Sequence, residues 1–456
     1  MNMNEQVLFS PIGHTDPVAR HCDGSFLHIL RHRRPQRAYL FMSAEVATLD
    51  DKDDRYAYFA RRLCEKEGFA CEIIKLKHRE VTKPNDFEAF YEPFEKTIDE
   101  IVRDNPNCDI LVNLSSGTPQ MKNACNLICA LSCHRLIPLQ VDSPGEGGAR
   151  VDALDLQSEW EQLEGNTPQN PATNRLREVA SENLKARFAK EYITTLINNF
   201  DYVGALSVAQ SIDRHISHDA LRLLEAARLR FMQNNAFIEQ LTPAERAMTA
   251  PPAAPEERTV FEYILYLQIK QARGELMDFA RGISPVIADL YEAYLKNNCR
   301  VDVKEKYCEY DSKRKTYMVR AGKIQADSAD LWAHFCGAKN RDFEDSFLAG
   351  SNLCLFISFF SDDDELKKKI NMLQEYEQLI RNKAAHEIIC VDDAWIEKKG
   401  PQRKPADIKR TPQASLFIVK LLQDVYLKAF RLNSVDWAVY DTMNREIEKQ
   451  LNSPTR

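Results

Sequence analysis

Short apolar runs alternate with longer amphipathic segments over the first third of the chain. The runs lie at residues 7–9, 38–42, 70–76, 109–114 and 136–141, each bounded by polar or turn-forming residues, which is typical of buried strands. The segments between them carry apolar residues at helical spacing, the longest from about residue 85 to residue 103. Alternation of strands and helices with short connections predicts an α/β domain with a doubly wound parallel sheet.

Beyond residue 173 the pattern is helical. Apolar residues recur three and four positions apart over residues 173–240 and 258–298, and again towards the end of the chain. Two polar stretches rich in proline, residues 142–172 and 243–255, are interpreted as linkers or exposed loops. Residues 301–319 are predicted to be extended, with a lysine-rich turn at 311–315. We therefore expect an all-α arrangement after the sheet.

Composition and charge narrow the class of protein. The chain has 456 residues, 44% of them hydrophobic and 28% charged, which is typical of a soluble globular protein with two or three domains. Its formal net charge of −7 argues against broad, charge-driven nucleic-acid binding. The 12 cysteines form no Cys-x-x-Cys pair, so we expect reduced thiols in a cytoplasmic protein. No apolar run reaches membrane-spanning length, and no membrane association is expected.

Two loops in the predicted sheet domain carry candidate chemistry. One follows the first strand and the other follows the fourth, and these strands are neighbours in the commonest doubly wound order. In the second loop Thr118 is a good helix N-cap and Pro119 suits the first helical position. Hydroxyl groups and a glycine at a helix N-terminus predict a phosphate or ribose site, the alternative being only a turn and cap. The chain has neither Gly-x-Gly-x-x-Gly nor Gly-Lys-Ser/Thr, so a dinucleotide cofactor or nucleoside triphosphate hydrolysis is unsupported.

Near the end of the chain, Arg381, Asn382 and His386 lie within six positions on a predicted helix. An imidazole can move protons near neutral pH and a guanidinium can stabilise a phosphate, so these residue types suit metal-free cleavage of RNA. Asn382 and His386 are four apart and share a helix face. Arg381 and His386 are about 140° apart on a regular helix. For both side chains to reach one phosphate, either the helix is broken there or two copies of the chain meet, and the dimer is favoured. The alternative to a catalytic role is an ordinary surface arginine and a partly buried histidine.

Together these motifs resemble the CARF–HEPN ribonucleases of type III-A CRISPR systems. The resemblance rests on Leu-Phe-Ser-Pro-Ile-Gly-x-Thr-Asp-Pro near the start, Asn-Leu-Ser-Ser-Gly-Thr-Pro-x-Met in the middle and Arg-Asn-x-x-Ala-His near the end. It implies a Rossmann-like CARF sensor domain at 1–150, a helical linker domain at 173–245 and a helical HEPN ribonuclease domain at 257–456. The implied catalytic pair is Arg381 and His386, with Asn382 beside them. The implied activator-binding residues are Ser10, Gly13, His14, Thr15, Asp16, Asn113, Ser115, Ser116, Gly117 and Thr118.

The resemblance also implies an activity. The sensor of a homodimer binds a cyclic oligoadenylate made by the type III CRISPR effector complex, and binding switches on cleavage of single-stranded RNA in antiviral defence. The cleavage is metal-independent and leaves a 2′,3′-cyclic phosphate, no cofactor is needed, and cyclic hexaadenylate is favoured over cyclic tetraadenylate. Some members slowly cleave their own activator. Relatives often carry asparagine where this chain has His14, which puts that activity in doubt.

Two other functions are considered. The first is a non-catalytic nucleotide sensor whose helical half binds a partner protein or nucleic acid, which need not keep an Arg381/His386 pair. The second is a DNA-cutting effector, which would need a cluster of carboxylates for metal ions. The acidic run at 362–365 is interpreted as a helix start instead. The lysine-rich turn at 311–315 is interpreted as a solvated turn, the alternative being a basic lip near an RNA path.

Overall fold

The computed structural model describes residues 5–86, 88–132, 134–144, 155–180, 182–249, 252, 254–381, 389–400 and 413–453, with the side chain of residue 381 excepted. The chain divides into two compact units, Met1–Phe188 and Ala189–Arg456. Within the described residues no helix combines the length and the apolar character needed to cross a membrane.

A six-stranded sheet forms the centre of the first unit, in the order β5-β4-β1-β6-β7-β8. The first five strands in that order pair in parallel, and β8 adds antiparallel to the edge of β7. A two-stranded hairpin, β2 with β3, lies outside this sheet. The strand bounds are Gln6–Pro11 (β1), Val18–Ala19 (β2), Cys22–Asp23 (β3), Arg37–Ser43 (β4), Glu72–His78 (β5), Asp109–Asn113 (β6), Leu136–Val141 (β7) and Leu176–Glu178 (β8).

Helices cover both faces of this sheet, so alternate residues of the central strand β1 enter different cores. Leu8 packs with Phe26 of one core, whereas Phe9 packs with Phe94 of the other. Burial on both faces explains why the strands are continuous apolar runs. The helices are Ser25–Arg33 (α1), Ala44–Asp53 (α2), Arg55–Glu67 (α3), Tyr91–Asp104 (α4), Pro119–Leu131 (α5) and Leu156–Gln162 (α6), with a 3-10 turn at Glu88–Phe90 before α4.

The second unit is almost entirely helical and has one continuous hydrophobic core. A small antiparallel sheet is formed by Cys308–Asp311, Thr316–Val319 and Ser346–Phe347. The helices, including the one that crosses the division between the units, are Glu182–Asn198, Tyr202–Ser211, His218–Phe231, Phe237–Gln240, Pro243–Thr249, Pro255–Ala272, Leu276–Asn298, Val303–Tyr307, Ala321–Asp327, Ala329–Lys339, Gly350–Phe360, Asp364–Tyr376, Asp393–Lys399, Ala414–Ala429 and Val439–Leu451. A 3-10 turn occupies Asp213–His215 and a π-helical turn occupies Glu377–Arg381.

The predicted fold class, a parallel α/β sheet followed by an all-α region, is confirmed, and each predicted strand is present to within two residues at either end. Some predictions were wrong. The polar stretch 142–172 contains α6, whose Trp160 packs in the first unit's core, and Leu163 after it is fully buried, so residues 155–163 are not a linker. Residues 243–249 form a helix with Thr249 buried. Within 301–319, Val303–Tyr307 is helical because Asp302 caps it.

Candidate functional site

The carboxyl ends of β1 and β6 lie side by side, as predicted, with Phe9 opposite Val112 in parallel register. The loop after β1 (residues 12–17) and the loop after β6 (residues 114–118) therefore start from the same edge of the sheet. A crevice outside the carboxyl ends of neighbouring parallel strands is where doubly wound domains bind ligands. We refer to this region as the sensor crevice.

The two loops meet backbone to backbone at two glycines. A Cβ added to Gly13 would lie 2.8 Å from the backbone nitrogen of Gly117. Gly117 has a φ of +83°, and a Cβ there would lie 2.7 Å from the Met121 Sδ. Only glycine allows both the left-handed backbone and this close approach. The predicted residues Gly13 and Gly117 are thus the point at which the loops touch.

Asp16 joins the two loops to the start of helix α1. Its Oδ1 accepts a hydrogen bond from the Phe26 backbone N–H at 2.9 Å, and the Ser116 hydroxyl donates to its Oδ2. The backbone N–H of Gly13 donates to the Ser116 Oγ at 3.0 Å. Helix α1 has no side-chain cap of its own, because its N-cap is Gly24, so Asp16 supplies that acceptor from a distance. Burial raises the pKa of Asp16, and the hydrogen bonds from Ser116, Phe26 and Gly13 offset only part of this.

Asn113 and Ser10 form a buried hydrogen bond between the ends of β6 and β1. The Asn113 amide donates to the Ser10 Oγ at 2.9 Å and to the Ser25 Oγ at 3.2 Å. Its carbonyl oxygen accepts from the Ser115 backbone N–H at 2.9 Å. Asn113 and Ser10 are both 0% exposed, and Asp16 is 4% exposed. The polar atoms of Asp16 and Asn113 are engaged by protein groups, so in this structure both residues position the loops.

Ser115 and Thr118 fix the second loop to its surroundings. The Ser115 Oγ accepts from the Val141 backbone N–H at 2.8 Å, which ties the loop to β7. The Thr118 hydroxyl caps α5 by accepting from the Met121 N–H at 3.3 Å, and it donates to the Pro84 carbonyl oxygen at 2.7 Å. Thr118 as N-cap and Pro119 at the first helical position are both confirmed. The first turn of α5 therefore presents its N-terminal end to the crevice.

Of the predicted first-loop residues, His14 and Thr15 are the exposed ones. The His14 Nε2 lies 3.4 Å from a carboxylate oxygen of Glu45, and the two side chains are 40% and 48% exposed. This histidine can therefore reach solvent and a ligand, unlike the buried Asp16.

A cavity of about 1100 Å³ opens beside these loops. Its lining includes the predicted residues Thr15 and Ser115 together with three cationic side chains that sequence reasoning missed: Arg20, Lys122 and Arg175. Lys122 could have been predicted from the sequence, since it lies one turn into α5 after the Thr118 cap and therefore close to the crevice. Arg20 sits in the two-residue turn between β2 and β3, where it and His21 have φ of 53° and 60° without the usual Asn-Gly. Arg175 follows a stretch interpreted as a linker and had no local signal.

A buried cluster of charges holds Arg175 at the cavity wall. The Arg175 Nη2 donates to Glu164 Oε1 at 2.6 Å, and Arg31 makes two hydrogen bonds, of 2.6 and 3.0 Å, to Asp23. Burial raises the pKa of Asp23, but hydrogen bonds from His28 and Arg31 outweigh it and lower that pKa overall. Asp23, His28 and Glu164 are close enough to suggest metal ligands. Because two arginines already neutralise the two carboxylates, this donor set does not fit a cation.

The predicted catalytic residues fall at the edge of what the structure describes. Asn382 and His386 lie outside the described residues, and for Arg381 only the backbone is described. Regular α-helix ends at Tyr376, and a π-helical turn, Glu377–Arg381, leads to the motif. The Glu377 carboxylate accepts from the Ser284 hydroxyl at 2.6 Å and from the Gln374 amide at 3.0 Å, and Ile380 is fully buried. Regular α-helix therefore ends before Arg381, and the geometry that relates Arg381 to His386 lies outside the described residues.

Three protein-family models match the chain. The Cas_Csm6 CARF domain matches residues 70–176, the Csm6 6H domain matches residues 179–231 and the Cas_Csm6 HEPN domain matches residues 247–448. Two relatives are each called CRISPR system endoribonuclease Csm6. The one from Mycobacterium tuberculosis is 28% identical and covers 98% of this chain and 99% of its own length. The one from Streptococcus thermophilus is 22% identical and covers 98% and 100%.

A solved structure shares the fold over the full length. It is Enterococcus italicus Csm6 bound to cyclic hexa-2′-fluoro-hexa-dAMP, with a TM-score of 0.68, 19% sequence identity and coverage of 98% of this chain and 100% of the other. The three domain models belong to one protein and follow one another along this chain from residue 70 to residue 448. The chain therefore belongs to the Csm6 family of proteins, which join a CARF domain to a HEPN domain.

Proposed function

We propose that this chain is an endoribonuclease of type III CRISPR antiviral defence, that its sensor crevice binds a cyclic oligoadenylate, and that binding activates cleavage of single-stranded RNA by the HEPN domain. The observation that carries the proposal is the sensor crevice, where two loops meet at Gly13 and Gly117 beside a cavity whose lining includes Arg20, Lys122 and Arg175. The names of the relatives, CRISPR system endoribonuclease, support the reaction class.

The crevice suits a ring of nucleotides on chemical grounds. Phosphates favour the N-terminal end of α5 and the cationic side chains of Arg20, Lys122 and Arg175. Hydroxyl and amide groups along the wall, such as those of Thr15 and Asn126, can hydrogen-bond riboses and purine edges. A two-fold dimer would present this set twice, which matches the repeated units of a cyclic ligand. The homodimer is therefore part of the proposal.

We infer that the RNA is cut by transesterification. The 2′-hydroxyl of one nucleotide loses its proton and attacks the adjacent phosphorus, and the bond from phosphorus to the leaving 5′-oxygen breaks. His386 transfers protons at these oxygens, Arg381 stabilises the charge on the phosphate, and Asn382 orients the ring or touches phosphate. The products are a 2′,3′-cyclic phosphate and a 5′-hydroxyl, and no step requires a metal ion.

Two finer points belong to the same proposal. A ring of six adenylates is favoured as activator, and the cyclic hexanucleotide analogue bound by the Enterococcus italicus protein supports it. Slow cleavage of the activator, if the chain performs it, would use the first loop, where His14 and Thr15 are exposed, together with Thr118 of the second loop, and His14 puts this activity in doubt.

The test is an RNA-cleavage assay on the purified protein with a panel of cyclic oligoadenylates of different ring sizes, with and without EDTA. We expect cyclic hexaadenylate to give the strongest activation, activity to persist in EDTA, and the products to end in 2′,3′-cyclic phosphate. An enzyme that needs a divalent metal, or that leaves a 3′-hydroxyl, would refute the mechanism. A chain that cuts RNA under none of these conditions would refute the function.

A further inference from the structure

The small antiparallel sheet of the second unit is buried at one end and projects at the other. Cys308 and Val319 face each other at the buried end and are 3% and 0% exposed. Just before this sheet the Tyr307 ring is fully buried and stacks on the Phe356 ring, with the ring centroids 4.9 Å apart. The projecting end is therefore carried on a firmly packed base.

Two aromatic rings are exposed on one face of this sheet. Tyr310 and Tyr317 lie directly opposite each other on neighbouring strands, with ring centroids 5.2 Å apart, and they are 57% and 36% exposed. Phe347, on the third strand, is 53% exposed, but it pairs with Met318, so its side chain lies on the face opposite to that of Tyr317. Single exposed apolar side chains are ordinary, but two exposed rings in contact on one face of a small sheet indicate an interaction surface.

Cationic side chains lie near two of the exposed rings of this sheet, although Lys304 is itself paired with Glu292 at 2.6 Å. The Lys304 Nζ lies 5.3 Å from the centre of the Tyr317 ring, and the guanidinium carbon of Arg314 lies 5.8 Å from the centre of the Phe347 ring. The turn between the first two strands adds Lys313 and Lys315, both exposed, and neither makes an ion pair within the described part of the chain. We call Tyr310, Tyr317 and the basic turn 313–315 the aromatic platform.

The acidic residue of the turn does not cancel this charge. Asp311 accepts hydrogen bonds from the backbone N–H groups of Lys313 and Arg314, at 2.9 and 3.1 Å, and so holds the turn in shape. Its carboxylate is also 3.6 Å from the Arg314 guanidinium. The two lysine ammonium groups are left to face solvent on a chain whose formal net charge is −7. The turn is thus a local source of attraction for a polyanion.

We propose that the aromatic platform binds single-stranded RNA, with unpaired bases stacked on the exposed rings and the backbone phosphates held by Lys313 and Lys315. This rests on the proposed function, because it gives the nuclease a place to hold its substrate apart from the catalytic motif. Exposed rings bordered by cations are the arrangement by which proteins bind single strands without sequence preference. A protein partner fits less well, since charged groups are depleted from the centres of protein interfaces.

The test measures binding of fluorescein-labelled single-stranded RNA of mixed sequence by fluorescence anisotropy, in a His386→Ala background that leaves the RNA uncut. The double variant Tyr310→Ala/Tyr317→Ala is expected to raise the Kd about 5-fold or more, on the scale of one lost stacking contact. Tyr310→Phe/Tyr317→Phe keeps both rings and is expected to bind like the parent. Tyr192→Ala removes another ring, 56% exposed, as a matched control and is expected to change nothing.

The charge is tested separately. Lys313→Gln/Lys315→Gln is expected to flatten the dependence of log Kd on log salt by about 1.4, the value for two phosphate contacts on a single strand. In the active enzyme with cyclic hexaadenylate, both double variants should raise KM for RNA and leave kcat nearly unchanged. The same RNA annealed to its complement should bind the parent and the Tyr310→Ala/Tyr317→Ala variant alike, because its bases are already stacked and cannot stack on the rings.

The outcomes separate the two proposals. If the parent cleaves RNA on activation but the Ala and Gln variants keep its Kd and KM, the platform is refuted and the function stands. If the Tyr310→Ala/Tyr317→Ala variant changes the oligomeric mass by light scattering while its RNA affinity is unchanged, the platform is a contact between copies of the chain and the RNA proposal is overturned. If the parent cleaves no RNA with any activator, the function itself fails.

Discussion

Gly13 and Gly117 lie backbone against backbone across the sensor crevice, and a Cβ on Gly13 would be 2.8 Å from the Gly117 nitrogen. Gly13→Ala must therefore push the two loops apart. We expect a stability loss of about 1–3 kcal/mol, the usual scale of overpacking, together with weaker binding of cyclic hexaadenylate. Calorimetric titration and thermal unfolding would measure both.

The matched control for that variant is Gly337→Ala. Gly337 lies in the helix Ala329–Lys339, and a Cβ there would meet nothing within 4 Å. The substitution is expected to stabilise the protein by up to about 1 kcal/mol and to leave activator binding unchanged. Parental affinity in Gly13→Ala would show that the contact between the loops does not shape the binding site.

Asp16 should show its burial in the pH dependence of stability. Because burial raises the pKa of Asp16 above its ordinary value of 3.8, the folded protein holds this proton more tightly than the unfolded chain does. The free energy of unfolding should therefore fall as the pH rises from that value through the raised pKa. Asp16→Asn resembles the neutral acid and removes this titration. The difference in the free energy of unfolding between the parent and the variant should therefore shift against the parent over the same pH interval. Urea unfolding of both proteins at several pH values measures this difference.

Asp16→Ala serves as the comparison. It leaves the Phe26 N–H and the Ser116 hydroxyl without their buried acceptor, at a cost of about 1–3 kcal/mol, and unties the two loops. Activator binding should survive in Asn and weaken in Ala. Equal damage in both variants at neutral pH would show that the negative charge itself is required, which would favour direct contact with the ligand.

Thr118 has two hydrogen-bond partners, and its substitutions should separate capping from side-chain bulk. Thr118→Ala loses both the acceptor for Met121 and the donor to Pro84, at a cost of about 1 kcal/mol for the cap. Thr118→Ser keeps the oxygen. Activator-dependent cleavage should largely survive in Ser and fall sharply in Ala, and hydrogen exchange at Met121 should accelerate in Ala alone. An Ala variant that responds to every cyclic oligoadenylate as the parent does would remove the crevice as the sensor.

The catalytic pair is tested by substitution and by mixing. His386→Ala is expected to lower RNA cleavage by at least ~100-fold, the scale for loss of a positioned acid–base group, with activator binding intact. If the active site joins Arg381 of one subunit to His386 of the other, heterodimers of Arg381→Ala and His386→Ala should cut RNA faster than either parent variant. Confirmed heterodimers with no recovered activity would contradict a site built in that way.

A buried ion pair should govern the stability of the second unit. Arg230 is fully buried, donates to Glu262 at 2.8 and 2.7 Å, and lies between the rings of Phe237 and Tyr440. Arg230→Met should cost about 3–5 kcal/mol because Glu262 then keeps an unpaired buried charge. The double variant Arg230→Met/Glu262→Met should recover much of that loss in urea unfolding. A double variant as unstable as the single one would mean that packing around the guanidinium, not its charge, is what matters.

The sequence predicted best the features that depend on burial over several residues. Strands such as β1 are apolar throughout because both faces of the sheet are covered, and this pattern also placed the loops that contain Gly13 and Gly117 at one edge. Helix α5 was predicted from its cap and its proline, which act locally. In these cases the physical cause of the structure lies within a few positions of the residue concerned.

What the sequence did not reveal depends on distant contacts. Arg175 is placed by Glu164 and by its backbone bond to His28, neither of which a polar stretch predicts. The Arg20–His21 turn adopts left-handed backbone without glycine or asparagine, and the π turn that ends at Arg381 has a sequence that also suits an ordinary helix. Asp16, predicted to touch ligand, lies buried because it caps a helix that begins nine residues later.

The first strand within the described residues is one of the two central strands of the six-stranded sheet. Strand β1 pairs with β4 on one side and with β6 on the other, and the hydrogen bonds from Gly13 to Ser116 and from Asn113 to Ser10 each span 103 positions. During synthesis, β1 must therefore wait for more than a hundred residues to leave the ribosome before its second edge is paired. Contacts of such sequence separation slow folding and prolong exposure of unpaired edges. The sensor therefore forms late in synthesis, and its cavity is complete only once Arg175 has also emerged.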